Sequence, residues 1–219
     1  MSITRREFCR SAVGLALVGA AMPVAAFGIA APARAQAPSS EELLKPGPLS
    51  EQVLGNAEAP VTIIEYASMT CSHCARFDTE VYPVLKSRYI DTGKVRYIMR
   101  EFPLDPLAAA GFMLARCAGD TKYFAMVDVL FKMQAQWAFV KEPIPALLGI
   151  AKQAGFSEQT FNECLANQKL LDQIDEVRQR AAEKFGVNST PTFFINGQIH
   201  RGEMSVDELD KVLQPYLKS

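Results

Sequence analysis

Two cysteines three residues apart, Cys71 and Cys74, stand in the stretch SMTCSHCARF with His73 between them. Such a pair can serve as a disulfide that is made and broken, as part of a metal site, or as a structural crosslink. Spacing of three on a helix puts both sulfurs on one face, near enough to bond. At a helix N-terminus, unpaired backbone N–H groups stabilise negative charge and favour the first cysteine's thiolate. A thiolate is both the nucleophile and the better leaving group, so a low pKa makes the disulfide easy to reduce and therefore oxidising. His73 adds a donor, and a positive charge when protonated. On this reading Cys71 is the exposed, attacking sulfur. Cys74, one turn in, is the buried partner that closes or releases the bond. A purely structural disulfide is disfavoured, because closing so short a loop removes little unfolded-state entropy. Zinc would need a further ligand and preferably a second pair. His200 is the only other histidine and there is no second C-x-x-C, so no metal is expected.

Two further positions fit redox chemistry. Glu65 is a carboxylate in the otherwise apolar run VTIIEY, six residues before Cys71. Buried acids are rare without a partner or a task. Desolvation would raise its pKa and let it take and return the proton of Cys74; the alternative is an acid facing solvent, which strand alternation alone does not decide. Pro191, in STPTFF, precedes a strand and is a candidate cis peptide. A cis bond there would turn the Thr190 backbone outward to pair with an extended substrate segment, a form of strand addition.

The elements that must position these residues follow from periodicity and punctuation. Val61 to Tyr66 is a β-branched run after Pro60 and reads as a buried strand. Phe77, Val81, Val84, Leu85 and Tyr89 recur at helical spacing, with Pro83 predicting a kink. Lys94 to Phe102 alternates apolar with basic residues and reads as a second strand, so the unit is strand–helix–strand with parallel strands and a right-handed crossover. Residues 105–185 contain no strand-like stretch. They read as helices over Pro106 to Cys117, Lys122 to Gln136, Ile144 to Ala154, Ser157 to Asn167 and Lys169 to Phe185. TPTFFINGQIHRG then gives two short strands joined by Asn196-Gly197, a hairpin signal. Ser205 with Glu208 forms a capping box for a last helix to about Leu217. The order is βαβ, a helical block, then ββα.

The 219 residues are 49% hydrophobic and 21% charged, ordinary for a globular protein, and the N-terminus is set apart from the rest. Residues 1–35 read as an export signal of the twin-arginine type, the alternatives being a Sec signal or a retained membrane anchor. Arg5 and Arg6 with Phe8 form the basic region, an Ala/Gly/Val/Leu run follows, and Ala33 to Ala35 gives a small-x-small cleavage pattern. Cleavage after Ala35 leaves 19 basic and 23 acidic residues, a formal charge of −4, which attracts neither nucleic acid nor an anionic membrane surface. It also removes Cys9, leaving Cys71, Cys74, Cys117 and Cys164, the even count that pairing in an exported protein requires. Residues 36–51, rich in Pro, Ser and Gly, read as a linker too short for an oligomerising stalk.

The stretches LGNAEAPVTIIEYASMTCSHC, REFPL and GVNSTPTFFINGQIHRG together resemble the DsbA-like thiol–disulfide oxidoreductases of the bacterial cell envelope, from about Val53 to the C-terminus. The resemblance implies an α/β thioredoxin fold over 52–104 and 186–219, interrupted by an all-helical insertion over 105–185. It implies Cys71 as nucleophile and mixed-disulfide sulfur, Cys74 as resolving sulfur, His73 as the tuner of potential, Glu65 as buried acid, and Pro191 as a cis-proline facing the disulfide. One residue departs from the pattern: the archetypal oxidase has proline where this chain has Ser72, which bears on its strength as an oxidant. Thr190 occurs in oxidase and isomerase relatives alike. Cys117 and Cys164 fall on different expected helices of the insertion. As a disulfide they would contribute about 4 kcal/mol in the chain-entropy model, and the alternative is two buried thiols. The expected activity is a periplasmic oxidase, monomeric and without cofactor beyond its own disulfide. It would donate that disulfide to unfolded exported proteins and be reoxidised by a DsbB-like, quinone-linked membrane protein. A disulfide isomerase or reductase is the alternative within the fold, and a non-catalytic binding module or chaperone the alternative outside it.

Overall fold

The computed structural model describes residues 39–217, so the export-signal reading of 1–35 and its cleavage site lie outside the described residues. The elements run α1 (Ser40–Leu44), β1 (Gln52–Leu54), β2 (Val61–Ala67), α2 (Ser72–Arg76), α3 (Tyr82–Leu85), β3 (Val95–Glu101), α4 (Pro106–Cys117), α5 (Tyr123–Lys132), α6 (Gln134–Trp137), α7 (Pro143–Gln153), α8 (Glu158–Leu165), α9 (Gln168–Phe185), β4 (Thr192–Ile195), β5 (Gln198–Arg201) and α10 (Val206–Leu217). The five strands form one sheet in the order β1-β3-β2-β4-β5. β2 and β3 are parallel, as a strand–helix–strand unit demands, and the other pairs are antiparallel. This is the α/β thioredoxin fold, with helices α4 to α9 set between β3 and β4.

Strand alternation divides the core in two. Ile63 and Ala67 of β2, Tyr97 and Met99 of β3, and Phe193 and Ile195 of β4 face a large cluster that holds Cys71, Cys74, Phe77 and most of the helical block. Ile64, Tyr66, Ile98 and Phe194 face the opposite side, against Val177, Ala181 and Phe185 of α9. Glu65 shares the parity of Ile63 and Ala67 and so points at the two free cysteines. The β4–β5 turn uses Asn196 (φ 46°) and Gly197 (φ 85°), the left-handed pair that a two-residue hairpin requires. Ser205 Oγ accepts from the Glu208 N–H while Glu208 Oε2 accepts from the Ser205 N–H, closing the capping box of α10.

The helix after Cys71 differs from a simple kinked helix. Residues 72–90 are helical throughout, but Phe77–Val81 and Lys86–Ile90 are π-helical turns on either side of α3. Pro83 has no N–H to give the i−4 carbonyl, so the ladder reopens into wider turns, and the Tyr82 N–H reaches back to Phe77 O. The expected helix from Lys122 to Gln136 is two helices broken at Met133; the break turns Gln134 and Trp137 into the interior. Residues 40–51 are more than a linker. Leu43 is 1% exposed against the α9 face, and β1 pairs with β3 just beyond. Burying Leu43 contributes ~1.5–3 kcal/mol, which holds a five-residue helix too short to persist alone.

Candidate active site

The site is built where β2 hands over to α2. Cys71 is the N-cap of α2, in extended conformation (φ −83°, ψ 117°), and its backbone N–H closes a turn onto Ser68 O at 3.1 Å. Four hydrogen bonds hold this turn. Leu104 N–H donates to Ser68 Oγ at 3.2 Å, and Thr70 Oγ1 donates to Asp105 Oδ2 at 2.5 Å, tying the turn to the start of α4. From α6, the buried Gln134 Nε2 donates to both Met69 O (2.8 Å) and Cys71 O (3.0 Å). Gly111 of α4 makes room: a Cβ there would stand 3.0 Å from the Met69 side chain and 3.2 Å from Trp137.

Both cysteines are free thiols here, Cys71 at 9% exposure and Cys74 at 0%. Their chemistry diverges. The Cys71 thiol is brought down to about 5, first by a hydrogen bond from the Cys74 thiol, which outweighs the opposing effect of burial. The Thr190 side chain and the backbone N–H groups of Cys74 and His73 lower it further. Thr190 Oγ1 is buried without a partner while the Cys71 thiol donates to Thr190 O at 3.3 Å, so the hydroxyl gains an acceptor when the thiolate forms. Cys74 goes the other way: burial, its hydrogen bond to Cys71, and the charges of Glu65 and Cys71 all raise it. One sulfur is a ready thiolate and the other holds its proton.

Glu65 is fully enclosed beneath them. Burial pushes its carboxyl up to about 8; a hydrogen bond donated by Tyr97 Oη to Oε2 works against this, and the charges of Asp78 and Cys71 add to it. A carboxyl poised near neutrality beside a buried thiol can give that thiol a proton and take it back.

The Thr190–Pro191 peptide is cis and leads directly into β4, whose Thr192 pairs with Tyr66 of β2. The placement brings Thr190 against Cys71. His73 goes elsewhere: its imidazole is 57% exposed, with Nδ1 3.2 Å from Glu203 Oε2, and its contribution to the Cys71 thiolate is its backbone N–H. Glu203 also accepts from Arg76 Nη1 at 3.0 Å, linking α2 to the loop before α10. Cys117 and Cys164 form a disulfide between α4 and α8. Among the described residues no cluster of His, Cys, Asp and Glu is arranged to hold a metal.

Sequence reasoning did not single out Gln134, Tyr97, Gly111, Asp78 or Asp105. Asp105 carried a signal, since Asp before Pro106 is an N-cap pattern and its Oδ1 does accept from the Ala108 N–H at 2.8 Å. Asp78 lay four residues after Cys74, on the same helical stripe. Gln134 had no signal, for nothing local distinguishes a buried glutamine from a surface one.

A family model described as Thioredoxin matches residues 49–215. A protein of Rickettsia conorii, provisionally described as a protein-disulfide oxidoreductase, is 32% identical over 77% of this chain. The chain spans 61% of that relative's length, and 63% of a similar one from Rickettsia typhi. The crystal structure of alpha-DsbA1 from Wolbachia pipientis superimposes with a TM-score of 0.75 at 34% identity, covering 82% of this chain and 97% of that one. The fold is shared at 22% identity with a protein-disulfide isomerase from Novosphingobium aromaticivorans, with a TM-score of 0.67 over 76% of this chain and 97% of that one. The matched segment contains the cysteine pair, the buried glutamate and the cis-proline loop together, and the chain belongs to the thioredoxin family, among its DsbA-like thiol–disulfide oxidoreductases.

Proposed function

We propose that this chain is a protein-disulfide oxidase that donates a Cys71–Cys74 disulfide to newly exported proteins. The observation that carries the reading is the divergence of the two thiols, with Cys71 brought down to about 5 and Cys74 raised. A dithiol whose attacking member is a stable thiolate gives up its disulfide readily, because that thiolate is a good leaving group.

In the oxidised enzyme a substrate thiolate attacks Cys71 Sγ. The Cys71–Cys74 bond breaks, a mixed disulfide forms on Cys71, and Cys74 leaves with the electron pair and takes a proton from Glu65. A second substrate thiolate then attacks the substrate sulfur and expels Cys71 as its thiolate. The substrate loses two electrons to the enzyme; one of its two thiol protons ends on Cys74 and the other in solvent. The substrate strand lies along the Thr190–Pro191 loop, its backbone pairing with Thr190. His73 tunes the potential through its backbone N–H and its tie to Glu203.

The partners in this reading are unfolded exported proteins with free thiols, and a DsbB-like, quinone-linked membrane protein that reoxidises the dithiol. Location in the periplasm follows from the export signal of residues 1–35, cleaved after Ala35, and the chain acts as a monomer. The Cys71–Cys74 disulfide itself accepts the two electrons, with no added cofactor. The test is oxidation of reduced, unfolded ribonuclease by substrate-scale amounts of protein, lost in Cys71→Ser. Failure on reduced ribonuclease combined with activity on scrambled ribonuclease would replace the oxidase reading with that of an isomerase.

A further inference from the structure

The imidazole of His73 has two anions within its compass. It stands two residues from Cys71 on the first turn of α2, so its side-chain rotamer decides which of them it meets. The groups that lower the Cys71 thiol are the Cys74 thiol, Thr190 and two backbone N–H groups. The ring lies instead at the cleft between α2 and α10, with Nδ1 3.2 Å from Glu203 Oε2. Arg76 on α2, Glu80 on the π-helical turn and Glu208 on α10 line the same cleft. Glu208 is occupied by the cap at Ser205, and Arg76 Nη1 donates to Glu203 Oε1 at 3.0 Å. Glu203 Oε2 is buried without a hydrogen bond, and a small turn of the His73 ring would aim a donor at it.

Glu203 projects from a backbone that does not follow the ring. The Gly202 N–H before it donates to Pro191 O at 2.9 Å, which ties the segment to the cis-proline loop. Met204 after it is buried in the larger core, and Ser205 caps α10. We propose that Glu203 is a positioning residue that holds the His73 imidazole off Cys71 and so keeps the disulfide less oxidising than it would be with the ring free.

A protonated imidazole over the Cys71 sulfur would stabilise the thiolate expelled during substrate oxidation. Paired with Glu203, the same cation presents a net charge near zero to that sulfur. The thiolate competes for the ring with a carboxylate that is already in place. The inference rests on the thiol-exchange reading of the site.

Thiolate absorbance of the reduced protein reads the effect directly, because a midpoint near about 5 lies where an ordinary imidazole is protonated. Glu203→Ala should lower that midpoint by about half to one pH unit. It should also shift the equilibrium with glutathione at pH 6 toward reduced enzyme by about three- to tenfold. Glu203→Gln, which keeps the shape and loses the charge, should move both in the same direction. In a His73→Ala background, removing Glu203 should alter the glutathione equilibrium by less than about twofold. Arg76→Leu breaks the other half of the contact and leaves the ring held, so it should not lower the midpoint. A midpoint that stays or rises in both Glu203 variants would overturn the positioning role. So would an equal shift without His73, which would make Glu203 a plain negative charge, or an equal drop in Arg76→Leu, which would make it a strut. A wild-type protein that exchanges no thiols with glutathione would overturn the enzymatic reading, while the absorbance midpoints judge Glu203 on their own.

Discussion

Lowering the pH through the Cys71 titration tests the electrostatic core of the site. Its thiol stands at about 5 in the folded protein, against 9.0 for an unperturbed thiol. A depressed group stabilises the fold fully above its unfolded value, and that stability is lost as pH falls through the folded one. At pH 7 the difference is two decades in thiolate population, worth about 3 kcal/mol to the reduced protein. At pH 4 it is close to zero. The same energy makes the disulfide about 60 mV more oxidising at pH 7 than one between ordinary thiols. Denaturant unfolding of the reduced and oxidised forms at both pH values isolates this effect, because loop closure by the disulfide and the other titrating groups largely cancel in the comparison. The reduced form should gain about 3 kcal/mol relative to the oxidised form between pH 4 and pH 7. Thiolate absorbance of the reduced protein should rise with a midpoint near about 5. A midpoint near 9.0, or a stability gap that ignores pH over this range, would refute the argument.

Thr190→Val removes the hydroxyl that gains an acceptor on thiolate formation, and should raise the Cys71 midpoint by ~1 pH unit in the same absorbance titration. Glu65→Gln removes a carboxyl whose folded value is raised, so its stabilising protonated form is fully present below 4.5 and lost as pH rises through about 8. Thermal unfolding should therefore show wild type losing stability relative to the variant between those pH values. Replacing Cys117 and Cys164 together by alanine opens a loop with a sequence separation of 47, and should cost about 4 kcal/mol in chemical unfolding. Gln134→Leu strands the carbonyl of Met69, while Cys71 O keeps the Ala75 N–H, and should cost ~1–3 kcal/mol. It should also slow alkylation of Cys71, since the turn that presents the sulfur loosens.

Much of the framework was legible because its signals are local. A β-branched run, a cysteine pair at a strand-to-helix junction and Asn196-Gly197 each encode a conformation within a few residues. Glu65 was legible as an anomaly, an acid among apolar neighbours, although its direction became clear only from the faces of the assembled sheet. What escaped is set by distant partners. Leu43 is buried because α9 happens to lie over it, and β1 has three residues, too few to show a period. The π-helical turns answer Pro83, whose effect was readable as a kink but whose geometry depends on how the ladder closes on either side. Gln134 acquires its role only when a break at Met133 turns it toward a loop more than sixty residues earlier in the chain. His73 was expected to act on Cys71 through its ring; instead Glu203, from a loop far along the chain, engages the imidazole.

The alternation that splits the core also separates two kinds of constraint. Side chains at 63, 65, 97 and 193 answer to the redox pair, and a change in their volume or polarity is felt at Cys74. Those at 64, 98 and 194 answer to α9 on the far side of the sheet. One strand thus carries two largely independent problems, written in alternate letters. The oxidising strength of the site can drift without remodelling the back of the molecule, and the back can be repacked for stability while the thiols keep their poise.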